Sequence, residues 1–208
     1  MAVQRVAAYI DGFNLYYGLK SKGWRRYYWL DPRRMLENLL QSDQELMMVR
    51  YFTARISAEP QNPGKPVRQN TFLEALLTLP DLHIHYGKYT PKGHTCPSCG
   101  ATWQTYQEKM TDVNIAVALL GDAQDDAFDT GIVVSGDSDL VGPITTVRSR
   151  YSDKQVIVAF PPNRVSKQLR EVATASFVIG RKTLHDSQFP DCVARPDGHV
   201  LTRPPSWY

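Results

Sequence analysis

Arg5 to Ile10 (RVAAYI), Thr130 to Ser135 (TGIVVS) and Gln155 to Phe160 (QVIVAF) are short stretches, apolar almost throughout. A strand that is apolar on both faces must be covered on both faces, the condition met by a parallel sheet flanked by helices. Leu46 to Ile56 and Leu82 to Tyr89 read as two further strands, and Phe177 to Ile179 as a short last one. The segments between them carry helical spacing. Asp31-Pro32 supplies an N-cap and a first-turn proline ahead of Met35, Leu36, Leu39 and Leu40. Phe72, Leu73, Leu76 and Leu77 share one face of another helix, and the stretch from Val113 to Leu120 is apolar nearly all round, which predicts deep cover. This alternation predicts an α/β fold, an open, doubly wound, mostly parallel sheet with helices on both faces.

At 208 residues the chain is long enough for one such domain with a well-buried core. The domain is expected over residues 1–184, with a hairpin-like insertion over 90–107. A loop rich in proline, glycine and asparagine is expected from Ser57 to Pro66. Residues 185–208 are polar, proline-spotted and aperiodic, a tail that either wraps the domain or stays mobile. No apolar run approaches the ~20 residues that span a bilayer, and the first residues do not read as a signal peptide. The expected setting is therefore cytoplasmic, with no membrane partner. With 24 basic and 21 acidic residues the net charge is +3, which neither requires nor excludes a nucleic acid. The oligomeric state is left open, a homo-oligomer included.

In open α/β sheets, ligands bind beyond the carboxyl ends of the strands, where the strand order reverses. Asp11 lies just past the first apolar run, and Asp137 and Asp139 lie just past TGIVVS, in VVSGDSDLVGP. With the usual winding these two strands are neighbours and the three carboxylates meet at one edge. Asp112, at the start of the helix that holds Val113 to Leu120, is a plausible fourth. Converging carboxylates raise each other's pKa unless a cation lies among them. Mg²⁺ or Mn²⁺ suits an all-oxygen donor set, and activation of water against a phosphodiester is the chemistry such an ion supports. Taken singly, each aspartate also suits a helix N-cap or a tight turn. Asp125, Asp126 and Asp129 read as a solvated loop without a role.

YIDGFNLYYG near the start, EKMTDVNIAVALL in the middle, and VVSGDSDLVGPI followed by VIVAFPPNRVSKQL resemble the NYN-domain family. That family belongs to the PIN-like nuclease superfamily, and the LabA-like branch is the most similar. The resemblance runs in order from about residue 5 to 180. It implies a PIN-like sheet with a metal-dependent ribonuclease site. Asp11, Asp112, Asp137 and Asp139 would be its catalytic and metal-binding acids, with Asn14 and Ser135 in support. Asn14 is equally able to cap a helix, and Ser135 to satisfy a turn. Many PIN-type sites add a glutamate from a central helix, and Glu74 and Glu108 compete for that place.

RNA, single-stranded by preference, is the expected partner. Trp24, Arg25, Arg26, Tyr27 and Tyr28 mix cations with stacking surfaces, as single-strand binders do. Arg55, Lys65, Arg68, Lys109, Arg164 and Lys167 are candidate phosphate contacts. Cys96 and Cys99 form a C-x₂-C knuckle, half of a four-ligand zinc site that His83, His85, His94 or Cys192 would have to complete. The other reading is a reduced thiol pair in a hairpin turn. The function expected is hydrolysis of RNA, with a non-catalytic RNA-binding module on the same fold as the alternative. A phosphatase or nucleotide hydrolase is disfavoured, because no Walker-type loop is present.

Overall fold

The computed structural model describes residues 3–58 and 62–208, so residues 59–61 of the expected loop lie outside the described residues. From the N-terminus, β1 (Gln4–Asp11) runs into α1 (Gly12–Ser21), and α2 (Pro32–Glu37) precedes β2 (Gln44–Thr53). Asp31 caps α2, its carboxylate accepting from the Arg34 N–H at 2.9 Å, with Pro32 at the first helical position. Next come α3 (Lys65–Leu76) and β3 (Leu82–Tyr86). The run expected as one strand to Tyr89 breaks at Gly87, whose N–H donates to the Thr53 carbonyl at 2.7 Å. There the chain leaves the sheet as a hairpin of β4 (Lys88–Thr95) and β5 (Thr102–Lys109). The domain resumes with α4 (Thr111–Gln124), β6 (Thr130–Val134), α5 (Val141–Arg150), β7 (Gln155–Phe160), α6 (Lys167–Val172) and β8 (Ala175–Val178). It closes with α7 (Arg181–Asp186) and a small antiparallel pair, β9 (Cys192–Ala194) and β10 (Val200–Thr202).

The central sheet has the order β3-β2-β1-β6-β7-β8, and every pairing in it is parallel. The winding direction reverses between β1 and β6, which makes the crevice between their carboxyl ends the switch point. Alternate residues of β1 feed two cores. Val6, Ala8 and Ile10 pack with Trp29, Leu36 and Leu76 on the face of α2 and α3, and Ala7 and Tyr9 pack with Ile115, Leu119 and Phe160 on the face of α4.

One expectation about this second face needs correction, and another an addition. Helix α4 is not covered all round: Ile115, Leu119 and Ala123 are buried at four-residue spacing, whereas Val113 and Val117 are 61% and 66% exposed. An outer-layer helix has one neighbour below it, so valines on its far side meet water. Of the acids before β6, Asp125 and Asp126 are exposed as expected, but Asp126 and Asp129 are ion-paired. Arg5 forks onto Asp129 at 2.7 and 3.2 Å, and Asp126 takes both Arg5 and Lys154, which holds the two carboxyls below their ordinary range.

At its C-terminal end α4 is fastened by a partly buried ion pair. Arg50 of β2 donates to both oxygens of Asp122, at 2.7 and 2.6 Å, and the Tyr9 hydroxyl adds a third hydrogen bond at 2.8 Å. This fixes the helix against β1 and β2 and so aims its N-terminus at the switch point.

Residues beyond 185 wrap the face of α1 to α3. Trp29 Nε1–H donates to the Pro190 carbonyl at 2.8 Å, and Arg203 donates to the Arg26 carbonyl. Trp207 is buried against Tyr28, Trp29 and Phe72 at ring-centroid distances of 5.7, 6.2 and 6.2 Å. No helix among the described residues is long and apolar enough to cross a membrane.

Candidate active site

Asp11 is the last residue of β1 and the N-cap of α1. One carboxylate oxygen accepts from the Asn14 N–H at 2.9 Å, and the other from the Ser135 hydroxyl at 3.0 Å. Ser135, fully buried just past β6, in turn accepts from the Asp137 N–H at 3.1 Å. Asp137 caps the short 3-10 turn over residues 138–140, accepting from the Asp139 N–H at 3.0 Å. The capping and site readings therefore hold together for Asp11, because the same hydrogen bonds that start the helix orient the carboxylate at the crevice. Asn14 caps nothing with its side chain. Its amide oxygen accepts from the Gly136 N–H at 3.0 Å, tying α1 to the loop after β6.

Gly136 is required by close approach. A Cβ there would lie 1.9 Å from the Arg164 carbonyl oxygen, so the PPNR loop is seated on the backbone of the acidic loop. Arg164 is exposed, with its guanidinium over the Tyr17 ring at 5.9 Å. Lys109 is exposed at the end of β5.

The electrostatics draw the acids into one group. Burial, with smaller contributions from Asp112 and Glu108, pushes the Asp11 carboxyl up to about 7 against the lowering effect of its two hydrogen bonds. Burial likewise raises Asp112, in the first turn of α4, to about 6, followed by the repulsion of Asp137, Glu108 and Asp139. Asp137 is half-buried and Asp139 exposed.

Glu108 is the member that sequence reasoning left undecided. Met110 adopts φ 79°, a left-handed turn that swings β5 into α4, and the Glu108 carboxylate accepts from the Thr111 N–H at 3.0 Å and from its hydroxyl. Its competitor Glu74 is engaged elsewhere, accepting from Asn70 at 2.7 Å and Arg195 at 3.1 Å.

No three His, Cys, Asp or Glu side chains among the described residues stand close enough to form a ready-made metal shell. The donor set nevertheless suits a hard cation. It is composed of carboxylates from β1, α4 and the loop after β6, two of them raised toward neutrality by burial and by neighbouring carboxylates. The zinc expectation fares differently. Cys96 and Cys99 sit at the hairpin tip, where the N–H groups of Ser98 and Cys99 lower the Cys96 thiol, but no third ligand joins them among the described residues. His94 stacks on Trp103 and bonds Thr105, His85 stacks on Phe52, and Cys192 is exposed on β9.

Beside the acids, against Gly12 and Phe13, lies a cavity of about 460 Å³. Tyr16, Tyr17, Tyr28 and Trp207 are among its walls, and Lys20, Arg25, Lys65 and Arg68 bring positive charge to it. A ladder of near-parallel rings leads from it to the hairpin, Tyr17 to Phe13 at 6.2 Å, Phe13 to Tyr89 at 6.2 Å and Tyr89 to Tyr106 at 5.3 Å.

Comparison with known proteins matches residues 5–180 to the NYN domain. A curated relative, 6-hydroxy-3-succinoylpyridine 3-monooxygenase HspA of Pseudomonas putida (strain DSM 28022 / S16), is 25% identical over 240 aligned positions, covering 98% of this chain and 75% of its own. A crystal structure of a protein of unknown function, VPA0982 of Vibrio parahaemolyticus RIMD 2210633, has the same fold. It superposes with a TM-score of 0.57 at 21% identity, over 89% of this chain and 96% of that one.

Proposed function

The chain is a member of the NYN-domain family, within the PIN-like nuclease superfamily, and from that premise we propose that it hydrolyses RNA phosphodiesters with a divalent cation. The observation that carries the proposal is the pairing of Asp11 and Asp112. They stand on different elements, Asp11 buried and Asp112 half-buried; burial raises both carboxyls, Asp112 adds to the rise of Asp11, and Asp137, Glu108 and Asp139 add to that of Asp112, where strand order reverses. Asp11, Asp112, Asp137 and Asp139 would hold Mg²⁺ or Mn²⁺, which when bound neutralises the carboxylates, activates water and offsets charge on the phosphate.

The chain's own residues do the positioning. Ser135 keeps Asp11 and Asp137 in fixed relation through its hydroxyl, and Asn14 holds Gly136 and so the loop that bears Asp137. Lys109, three residues before Asp112, and Arg164, whose backbone abuts Gly136, are exposed and are the proposed phosphate contacts. Glu108 adds negative charge that strengthens the site's demand for a cation.

Incubation of end-labelled single-stranded RNA with the protein in Mg²⁺, Mn²⁺ or EDTA tests this. Cutting in the two metals and none in EDTA is expected. RNA bound in every condition but cut in none would replace the nuclease with a binding module. The relative named for a substituted pyridine favours a second reading, action on a small aromatic acid, and the aromatic, cationic cavity beside α1 is what supports it.

A further inference from the structure

We propose that the cavity beside α1 is a nucleotide subsite, taking one base of the RNA against its rings and the attached phosphate on its cations. This rests on RNA as the substrate, and it assigns a recognition site outside the acid group. Three observations converge.

The first is chemical composition. Tyr16, Tyr17 and Tyr28 present ring surface in a space of about 460 Å³, within the ~300–1,000 Å³ common to small-ligand sites. Rings that open onto a cavity offer stacking to a flat heterocycle of any sequence.

The second is charge. No Asp or Glu among the described residues lines the cavity, whereas Arg25, Lys65 and Arg68 do. All three act electrostatically on the Tyr16 hydroxyl, so they face one point of the wall from α3 and from the turn after α1. Lys20, 5.6 Å above the Tyr17 ring, and Arg164, 5.9 Å from it, extend that positive field toward the acidic loop. A neutral aromatic ligand has no use for this field, and an aromatic ring joined to an anion matches it.

The third is position. Gly12 and Phe13 line the cavity and directly follow Asp11 in the chain. A nucleotide seated there is held against the residues that follow Asp11, and the Phe13–Tyr89–Tyr106 ladder offers stacking surface beyond it.

Calorimetric titration of the full chain with uridine 5′-monophosphate, uridine, inorganic phosphate and nicotinate tests the assignment. The monophosphate is expected to bind at least ~10-fold more tightly than uridine or phosphate, since stacking and ion pairing each contribute about that factor. The double variant Arg25→Gln/Arg68→Gln should weaken the monophosphate by ~10-fold or more with the melting temperature held, and Tyr16→Phe, which keeps the ring, should retain it. Monophosphate binding unchanged in the double variant would overturn the subsite, as would no monophosphate binding. Nicotinate binding with the monophosphate excluded would overturn it in favour of a small aromatic acid. Asp137→Asn separates the two proposals. The variant is expected to lose RNA cleavage and keep monophosphate binding, whereas monophosphate binding by a wild type that never cuts RNA would remove the nuclease and leave the subsite.

Discussion

Asp11 has to satisfy a helix and a reaction with one carboxylate, and its titration records the conflict. It holds its proton up to about 7 and Asp112 up to about 6, against 3.8 for an ordinary aspartate. The unfolded chain releases these protons near pH ~4. Between there and pH 7 the folded state binds more protons than the unfolded one, so without a divalent cation stability falls as pH rises through that window and levels off above it. The Asp11 share is on the order of a few kcal/mol. A bound cation selects the ionised forms, so saturating Mg²⁺ is expected to raise the melting temperature by several degrees near pH 8 and by much less near pH 5. Equal shifts at both pH values would contradict the assignment. Asp11, Ser135 and Asp137 were legible because they follow apolar strands directly, where residue type and position coincide. Glu108 was not, since its carboxylate reaches the group only through the left-handed turn at Met110, which nothing in the local sequence announces.

Among the elements, β1, β6 and β7 were readable from continuous apolar runs and β2, β3 and β8 from shorter or partly alternating ones, and α2 and α3 from a cap or helical spacing, whereas α7 carries no such signal. What periodicity could not supply was how much of α4 is covered, because Val113 and Val117 look the same in sequence whether a neighbour lies over them or not. The clamp that aims α4 was equally hidden, being a contact between residues 50 and 122. Arg50→Ala leaves Asp122 buried without its cation and is expected to cost ~3–5 kcal/mol in urea unfolding. Cleavage should fall with it as Asp112 loses its fixed place. A loss below ~1 kcal/mol would show that α4 is held by its apolar stripe alone. The hairpin of β4 and β5 followed from its position outside the α/β rhythm, yet the pairing of Tyr89 with Tyr106 and Phe13 depends on register and could not be read.

At the scale of the whole molecule, the C-terminal segment is part of the core. Its polar, proline-rich composition concealed this, because its buried apolar residues, Phe189, Val193, Leu201 and Trp207, are spaced without period through an otherwise hydrophilic stretch. Trp207→Ala is expected to cost ~3–5 kcal/mol and to open the cavity wall. A melting temperature within a degree of wild type would mean that the segment packs without holding. The same tryptophan joins the tail to the cavity and the cavity joins α1 to the acids, so fold and proposed recognition share residues. The initial rate of RNA cleavage by wild type and Asp137→Asn, each purified identically and measured in Mn²⁺ from about pH 5 to 8, bears most directly on the proposed chemistry. Wild-type rates that rise through pH 6 to 7, with Asp137→Asn slower by ~10²-fold or more, are expected. Equal rates for the two proteins would place the chemistry outside these acids.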